Sequence, residues 1–277
     1  MSIKVSIDAS GGDFGFPVTI NAGINALTVY DDLLVNFVGD KNGIEKELNK
    51  NSLYSKLSDR IFITHANEVI NMDDSPSEAL RHKKDSSMRV AINLVKKGEA
   101  DACVSAGNTG ALMSIARFVL KTISGVDRPA IMSAVPTLKG PTHVLDLGAN
   151  IDSKPSTLLQ FAIMGSIAVQ NTENIDNPSV GLLNVGTEEL KGNEKSQQTS
   201  ELLKNSSLNY VGFVEGDDIY KGNIDVIVCD GFEGNIALKA SEGVAKMFSH
   251  FIKKSFTKNF YTKLVALLVK PIMRDFR

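Results

Sequence analysis

The sequence is poor in several residue types on which common kinds of protein site depend. It has no Trp, four His and two Cys, Cys103 and Cys229, among 277 residues. The two Cys form no C-x-x-C pair, so they offer no zinc motif, and such sparse use is typical of a reducing compartment. Both lie in apolar runs typical of strands, where Cys acts as a small hydrophobic residue. An acyl-cysteine intermediate is the alternative reading of these two side chains.

Long apolar runs and a strong net charge are also missing. No stretch approaches the ~20 apolar residues that span a bilayer. The N-terminal stretch MSIKVSIDASGG lacks the apolar core of a secretory signal peptide, which predicts a cytosolic protein. The net charge is -2, with 43% hydrophobic and 22% charged residues, as in ordinary soluble proteins. Nothing in this balance indicates a nucleic-acid partner, and we expect none.

Four familiar catalytic signatures are absent as well. The sequence contains no G-x-x-x-x-G-K-[ST], no G-x-G-x-x-G after its first strand, no G-x-S-x-G and no H-E-x-x-H. These absences argue against a P-loop nucleotide hydrolase, a dinucleotide-binding fold, a serine hydrolase and a metal hydrolase. The sequence therefore predicts no metal site.

Short β-branched apolar segments alternate with helical ones along the whole chain. Several strands are apolar on both faces, which is typical of a parallel sheet covered by helices. The strand segments are IKVSID, LLVNFVG, RIFITH, ACVSA, AIMSAV, HVLDLG, VGLLNVG, YVGFVE and DVIVCD. The clearest helical segments are 77–97, 112–123, 155–170 and 233–251. This alternation predicts an α/β fold, a three-layer α/β/α sandwich around a mostly parallel, doubly wound sheet. We expect one domain over 1–277, with a basic amphipathic helical extension over about 246–277.

Four predicted strands end in Gly together with Asp or Asn. The four turns are DASGGD at 8–13, SAGNTG at 105–110, DLGAN at 146–150 and DGFEGN at 230–235. Small residues let a ligand approach the backbone, and the N–H groups of a following helix favour an anion. Ligands of open α/β sheets gather at the carboxyl ends of the strands. The set favours a phosphate site, while a tight turn without a ligand is the alternative for each one.

Two lysine-bearing segments could complete an anion site. Lys83 and Lys84 precede Asp85-Ser86-Ser87, which look like helix N-cap residues. Lys191 lies in the polar, Gly-flanked loop NVGTEELKGNE, soon after a buried strand. A solvated basic turn and an ordinary surface lysine are the respective alternatives.

Seven long motifs resemble the bacterial phosphate acyltransferases of the PlsX type. They are DASGGDFGFP, KKDSSM, ADACVSAGNTGALM, GVDRPAI, LDLGANIDSKPSTLLQFAIMGS, VGLLNVGTEELKGNE and VCDGFEGNIALKASEG, and the resemblance covers most of the chain from residue 3. It implies transfer of a long acyl chain from acyl carrier protein to inorganic phosphate. The acyl phosphate product would serve glycerol 3-phosphate acylation in phospholipid synthesis. It also implies a homodimer, no cofactor, and a sheet related to phosphotransacetylases and isocitrate dehydrogenases.

The matching motifs imply roles for particular residues. Lys191 and Asn235 correspond to catalytic or substrate-contacting positions. The implied phosphate- or substrate-binding residues are Asp8, Gly11, Gly12, Asp13, Lys84, Ser86, Ser87, Ser105, Gly107, Asn108, Thr109, Gly110, Asp146, Asn150, Asp230 and Gly231. Ser10 stands where the family usually has Met. Family members usually continue beyond KPIMRDFR with a further strand and helix, so the resemblance implies that the C-terminal part of the family fold is missing here.

The C-terminal stretch concentrates positive charge. From Gly243 onward it has eight Lys or Arg and one Asp, a surplus of seven that leaves -9 for residues 1–242. On a helical projection its apolar face carries Phe256, Phe260, Leu264, Leu267 and Leu268, and Asn259, Lys263 and Lys270 lie elsewhere. This pattern predicts a helix lying on an anionic membrane. A helix that packs in a dimer or receives the carrier protein is the alternative. The resemblance favours the inner face of the cell membrane and a membrane glycerol-3-phosphate acyltransferase as partners of a cytoplasmic protein.

Two other functions remain open from sequence alone. One is a phosphotransacetylase-like enzyme that uses acyl-coenzyme A, and the other is a membrane-docked scaffold without activity. A metal- and NAD-dependent decarboxylase is disfavoured, because no ribose-binding acid or acidic metal cluster is evident.

Overall fold

A computed structural model of the chain describes residues 2–274, and the side chains of residues 2–269. The chain divides into two compact units, one ending at Pro129 and the other beginning at Ala130. Each unit has its own sheet and its own apolar core. The single domain expected from sequence stays a prediction, because a division by contacts does not decide whether the units unfold together.

The first unit is built on a four-stranded parallel sheet with the strand order β3-β2-β1-β4. Its strands are β1 Ile3–Asp8, β2 Leu33–Gly39, β3 Ile61–His65 and β4 Ala102–Ser105. Asp8, the last residue of β1, lies opposite Ser105, the last residue of β4. The carboxyl ends of β1 and of the edge strand β4 therefore place these polar side chains together.

Helices cover both faces of this sheet. They are α1 Phe16–Val29, α2 Lys41–Leu48, α3 Tyr54–Leu57, α4 Pro76–His82, α5 Ser87–Lys96 and α6 Thr109–Leu120. On one face Phe37 packs with Ile20 and Ile24 of α1, and on the other Val38 packs with Ala91 of α5. Alternate residues of the strands thus bury opposite sides, which gives three layers.

The second unit has a five-stranded sheet with the order β5-β6-β9-β7-β8. Its strands are β5 Met132–Pro136, β6 Pro141–Leu145, β7 Ser179–Leu183, β8 Asn209–Val214 and β9 Val226–Val228. All neighbours are parallel except β5 and β6, which form an antiparallel hairpin. A connection of four residues joins the edge strand β5 to its neighbour β6. Only antiparallel strands can be joined by so short a connection, because parallel strands need a long crossover.

Four helices accompany the second sheet: α7 Pro155–Glu173, α8 Glu194–Lys204, α9 Gly231–Phe256 and α10 Phe260–Arg274. Phe161 of α7 and Leu203 of α8 belong to the core on one face of the sheet. On the other face Val144 and Ile227 pack with Ala237 and Leu238 of α9. Helix α9 continues for several turns beyond this contact, and its distal part is largely exposed.

The α/β fold class is confirmed, and a strand lies at each of the nine segments expected from sequence. Two details differ. The strands form two sheets, whereas the sequence predicted one. A local sequence pattern identifies a strand but not the strands with which it pairs. The predicted helix 77–97 is two helices, because Lys83 ends α4 and the Oγ of Ser86 accepts the N–H of Arg89 to begin α5.

The predicted C-terminal helix is also interrupted. Asn259 Oδ1 accepts the N–H of Thr262 at 2.9 Å, and Thr262 Oγ1 accepts the N–H of Asn259 at 3.0 Å. This reciprocal pair is a capping box that begins a new helix. Phe256 therefore belongs to α9, and its predicted place on one helical face with Phe260 and Leu264 is wrong. Residues 275–277 of the predicted extension lie outside the described residues. In the part of the chain that the structure describes, no helix is both long enough and apolar enough to cross a membrane.

Candidate active site

In the first unit, the carboxylate of Asp8 joins three of the motifs found in the sequence. It is buried at the end of β1, where Oδ1 accepts the Ser87 hydroxyl at 2.5 Å and Oδ2 accepts the Ser105 hydroxyl at 2.7 Å. These residues are 79 and 97 positions away along the chain. A buried carboxylate repels a phosphate dianion, so this geometry favours a positioning role for Asp8 over direct phosphate binding.

The glycines around Asp8 fit where larger residues would not. A Cβ on Gly11 would lie 2.5 Å from Asp8 Oδ2, and one on Gly12, whose φ is +84°, would lie 2.9 Å from the carbonyl oxygen of Ala106. The N–H of Gly107 donates to Ser105 Oγ at 3.0 Å. The turn after β4 is therefore linked to β1 through Ser105, whose hydroxyl accepts from Gly107 and donates to Asp8.

Two helix N-termini follow this cluster. Ser86 caps α5, and Asn108 caps α6 by accepting the N–H of Ala111 at 3.0 Å. The Asn108 side-chain amide also donates to the carbonyl oxygens of Met72 and Asp74, at 3.0 and 2.9 Å. The candidate residues that remain exposed near these turns are Asp13, Lys84, Thr109 and Gly110.

Lys83 and Lys84 differ in their surroundings. Lys83 Nζ donates to the carbonyl oxygen of Val69 at 2.8 Å and pairs with Asp74. Lys84 is exposed. Of the two, Lys84 is thus the better candidate to meet an incoming anion.

In the second unit, Asp146 organises the turn after β6. Its side chain is fully buried. Oδ1 accepts the N–H groups of Ile131 and Ala149 at 2.9 and 3.0 Å, and Oδ2 accepts the backbone and side-chain N–H groups of Asn150 at 2.6 and 3.0 Å. The carboxylate thus closes the turn 146–150 on itself.

Asp230 performs a similar task at the start of α9. It accepts the N–H groups of Phe232 at 2.9 Å and Ser153 at 2.6 Å, and Lys195 Nζ lies 3.2 Å from Oδ2. Burial alone would raise the pKa of Asp230, but these hydrogen bonds and the lysine charge hold it below its usual value. Burial likewise opposes the charge of Lys195, and its pairing with Asp230 still raises the lysine pKa above its usual value. Both groups are charged at neutral pH.

Asn235 and the turn after β6 are neighbours. A Cβ on Gly148, whose φ is +118°, would lie 3.2 Å from the Cβ of Asn235. A Cβ on Gly231 would lie 2.5 Å from the carbonyl oxygen of Asn150, and one on Gly234 would lie 1.9 Å from that of Asp146. The first turn of α9 therefore packs backbone to backbone on the turn 146–150, and the exposed Asn235 side chain lies at its rim.

A polar cavity of about 560 Å³ opens at the carboxyl end of β7. Asn184, Asn193 and Ser196 line it from the loop after β7 and the start of α8, and Glu233 lines it from α9. Lys191 is exposed and adjoins Gly192, which also lines the cavity. Burial, followed by the nearby charge of Asp230, raises the pKa of Glu233. A lysine, amide side chains and a helix N-terminus are groups that bind anions.

Sequence reasoning missed two residues of this region. Lys195 directly follows the KGNE motif, and Glu233 lies inside DGFEGN. Both are charged, and Lys195 lies outside the four Gly turns, so the pattern of small residues after strands does not identify them. A helical spacing test would have placed Lys195 on the first turn of α8.

The two cysteine thiols are poor nucleophiles. Burial raises the pKa of Cys103 to about 11 and raises that of Cys229 as well. The thiolate is the reactive form, so both favour the structural role over an acyl-cysteine intermediate. Among the residues described, no group of three or more His, Cys, Asp or Glu is arranged to hold a metal ion.

Solved structures with similar folds define the class. EutD phosphotransacetylase from Staphylococcus aureus superposes with a TM-score of 0.60, at 18% identity, over 88% of this chain and 83% of its own. A branched-chain phosphotransacylase from Enterococcus faecalis gives a TM-score of 0.54 at 15% identity, over 86% of this chain and 83% of its own. The chain thus has the α/β fold of the phosphotransacetylases.

Sequence comparison then gives the family. The family model described as "Fatty acid synthesis protein" matches residues 3–277. The protein named phosphate acyltransferase in Ruthia magnifica subsp. Calyptogena magnifica is 65% identical over the whole chain, which covers 81% of that relative. Those of Hydrogenovibrio crunogenus and Legionella pneumophila (strain Paris) are 53% and 52% identical over the whole chain, which covers 82% and 80% of them. The chain belongs to this family, as the resemblance in its motifs predicted, and it is an acyltransferase.

Proposed function

We propose that this protein transfers a long-chain fatty acyl group from acyl carrier protein to inorganic phosphate, giving an acyl phosphate for phosphatidic acid synthesis. The observation that carries the proposal is the polar cavity beside Lys191 and the first turn of α8. Amide side chains and the start of α8 line it at the carboxyl end of the parallel strand β7, and Lys191 adjoins its lining residue Gly192. The name phosphate acyltransferase of the relatives supports phosphate as the acceptor.

The proposed reaction needs little from the protein in proton transfer. A phosphate oxygen attacks the thioester carbonyl carbon, a C–O bond forms, and the C–S bond breaks with its electron pair leaving on sulfur. A thiol has a pKa of about 8.5, so the thiolate leaves without a strong general acid. The main tasks are to hold phosphate against the carbonyl and to stabilise the developing oxyanion.

Lys191 and Asn235 suit these two tasks. In this proposal the Lys191 ammonium neutralises part of the phosphate charge, and the Asn235 side-chain amide donates to the oxyanion. Loss of one such donor costs on the order of 10²–10³ in kcat in other acyl-transfer enzymes. Asp146 and Asp230 position the turn and the helix start on which Asn235 stands.

The partners of this function follow from the charge pattern. The basic C-terminal stretch suits an acidic carrier protein and an anionic membrane surface. Exposed apolar residues of α10, Phe260, Leu264 and Leu268, support the membrane contact. We propose a homodimer in the cytoplasm that associates peripherally with the inner face of the cell membrane and passes its product to a membrane glycerol-3-phosphate acyltransferase.

A donor comparison tests the proposal. Purified protein is incubated with palmitoyl-acyl carrier protein or palmitoyl-coenzyme A, with and without phosphate, and acyl phosphate is measured. We expect phosphate-dependent product, with higher kcat/KM for the carrier-protein donor. A preference for the coenzyme A donor would support the phosphotransacetylase-like alternative. Absence of product from either donor would support the alternative of a membrane-docked scaffold without activity.

A further inference from the structure

An apolar cavity of about 400 Å³ lies in the second unit, on the face of the sheet that α9 covers. Val135 of β5, Val144 of β6 and Leu147 form its floor, and Ala237 and Ala245 of α9 form its wall. Protein cores are close-packed, with few voids larger than a water molecule. Cavities of 300–1,000 Å³ are the size of small-molecule sites.

The cavity lies where α9 packs loosely on the sheet, since Ala237 and Leu238 contact the core of this face but are only partly buried. Of the 26 residues of α9, only Gly231 and Gly234 are buried. The side chains that face the sheet from the next turns include the small residues Ala237, Ser241 and Ala245, spaced by four. They leave the space between helix and strands unfilled.

Three polar side chains at its border, those of Tyr220, Ser241 and Glu242, are already engaged within the protein. The Ser241 hydroxyl is hydrogen-bonded to the Tyr220 hydroxyl and lies 2.6 Å from the carbonyl oxygen of Ala237. Glu242 pairs with Lys239 at 3.1 Å. Among the lining residues there is one charged group, the Glu242 carboxylate, and no cation. An uncharged, apolar ligand therefore fits this cavity better than an anion.

One end of the cavity adjoins the candidate catalytic residue Asn235. Leu147 lines the cavity and precedes Gly148, which contacts Asn235. Leu238, which also lines the cavity, follows Asn235 by three residues and so lies beside it on the helix surface. The other end extends along α9 to Ala245.

We propose that this cavity holds the alkyl chain of the acyl donor, with the thioester at Asn235 and the chain running along α9 toward Ala245. The proposal rests on the proposed function. From Ala237 to Ala245 the helix rises about 12 Å. An extended alkyl chain advances about 1.25 Å per carbon, given C–C bonds of about 1.5 Å. The cavity is thus long enough for roughly ten carbons. Each further methylene should raise kcat/KM about fourfold, up to the chain length that reaches the end of the cavity.

Filling the cavity at two depths tests this assignment. Ala245→Phe places a ring at the far end and Ser241→Phe places one nearer to Asn235, while Ala240→Phe is the matched control on an exposed position outside the lining. kcat/KM is measured with hexanoyl-, decanoyl- and palmitoyl-acyl carrier protein at saturating phosphate. We expect Ala245→Phe to reduce palmitoyl transfer at least tenfold, Ser241→Phe to reduce both decanoyl and palmitoyl transfer, and hexanoyl transfer to stay within twofold. The Ala240→Phe profile should match the wild type.

Equal effects on all three donors, or none, would overturn the assignment. Thermal melting identifies a variant that fails to fold, and Ala245→Leu then replaces Ala245→Phe. Binding of dansylated undecanoic acid, followed by its fluorescence, gives a readout that needs no turnover. Stepwise loss of this binding in Ala245→Phe and Ser241→Phe supports the cavity, and equal or absent binding in all proteins contradicts it. Absence of transfer by the wild type, with that binding intact, would contradict the proposed function and leave the cavity assignment standing.

Discussion

At the scale of single residues, this protein uses buried carboxylates to hold its loops. Asp8 receives two serine hydroxyls, Asp146 receives four N–H groups, and Asp230 caps a helix and pairs with Lys195. Such charge-assisted hydrogen bonds are shorter and stronger than neutral ones. Within each unit, the turns that these carboxylates hold are therefore fixed by hydrogen bonds of the protein itself.

Lys191→Ala should lower turnover without changing the fold. The side chain is exposed and the backbone N–H bonds to Glu188 at 3.0 Å, which alanine preserves. Loss of one charge that binds phosphate should reduce kcat/KM for phosphate by about 10²-fold. Lys50→Ala is the control, because that exposed lysine pairs with Glu47 in the first unit. A wild-type kcat/KM in Lys191→Ala would remove this residue from the mechanism.

Gly231→Ala should destabilise the protein more than Gly107→Ala. At Gly231 the new Cβ would lie 2.5 Å from a backbone oxygen, which cannot move away easily. At Gly107 the nearest atom is the flexible end of Met88 at 3.0 Å. Overpacking typically costs 1–3 kcal/mol, so chemical denaturation should show a difference of about 1–2 kcal/mol between the variants. Equal stabilities would mean that the turn after β9 adjusts freely.

At the scale of elements, short apolar runs were sufficient to predict the strands, and caps decided where the helices begin. The sequence signal for the start of α5 was present at Ser86, yet the apolar periodicity on both sides suggested one continuous helix. The capping box at Asn259 was overlooked in the same way. Contacts such as Asp8 with Ser87 join distant segments, so no local pattern could predict them. The same limit applies to the apolar cavity beside α9, because its lining comes from β5 and β6 and from α9, which is far from them in the sequence.

The second C-terminal helix, α10, should bind anionic vesicles reversibly. Phe260, Leu264 and Leu268 are 75%, 52% and 75% exposed. Basic residues near an anionic surface each add about 1 kcal/mol to binding. Leu264→Glu should weaken co-sedimentation with phosphatidylglycerol vesicles at least tenfold, because it places a charge on the apolar face. Added salt should weaken wild-type binding, since exposed charges are screened over roughly 8–10 Å.

Thr262→Glu is the matched control for this experiment. It makes the same charge change relative to a neutral side chain, on the opposite side of α10, at a capping-box position where glutamate is favoured. Its vesicle binding should decrease only through the one added negative charge, because the apolar residues of α10 are unchanged. Equal pelleting of wild type and Leu264→Glu without salt dependence would instead assign this face to a protein partner.

At the scale of the whole molecule, acid should remove part of the stability through Asp230. Its pKa is lower in the folded protein than in the unfolded chain, because N–H groups and Lys195 stabilise the carboxylate. The stabilisation is fully present above the unfolded pKa of about 3.9, and it is lost as pH falls through the folded pKa. The free energy of unfolding of Asp230→Asn should therefore change less than that of the wild type as pH falls below about 4. Parallel curves would show that Asp230 gains nothing from these contacts.

Native-state hydrogen exchange distinguishes a single domain that unfolds as a whole from two units that unfold independently. Asp8→Ala perturbs the first unit by leaving two serine hydroxyls without their acceptor, which costs about 1–3 kcal/mol for each buried group. Asp230→Ala perturbs the second unit by removing the cap of α9, which costs about 0.5–2 kcal/mol. If the chain is a single domain, each substitution should accelerate exchange of the slowest amides of β1 and those of β9 by one common factor. Both sets of amides would then exchange through global unfolding. If each variant accelerates exchange only in its own sheet, the chain consists of two independently unfolding domains and the single-domain prediction is wrong.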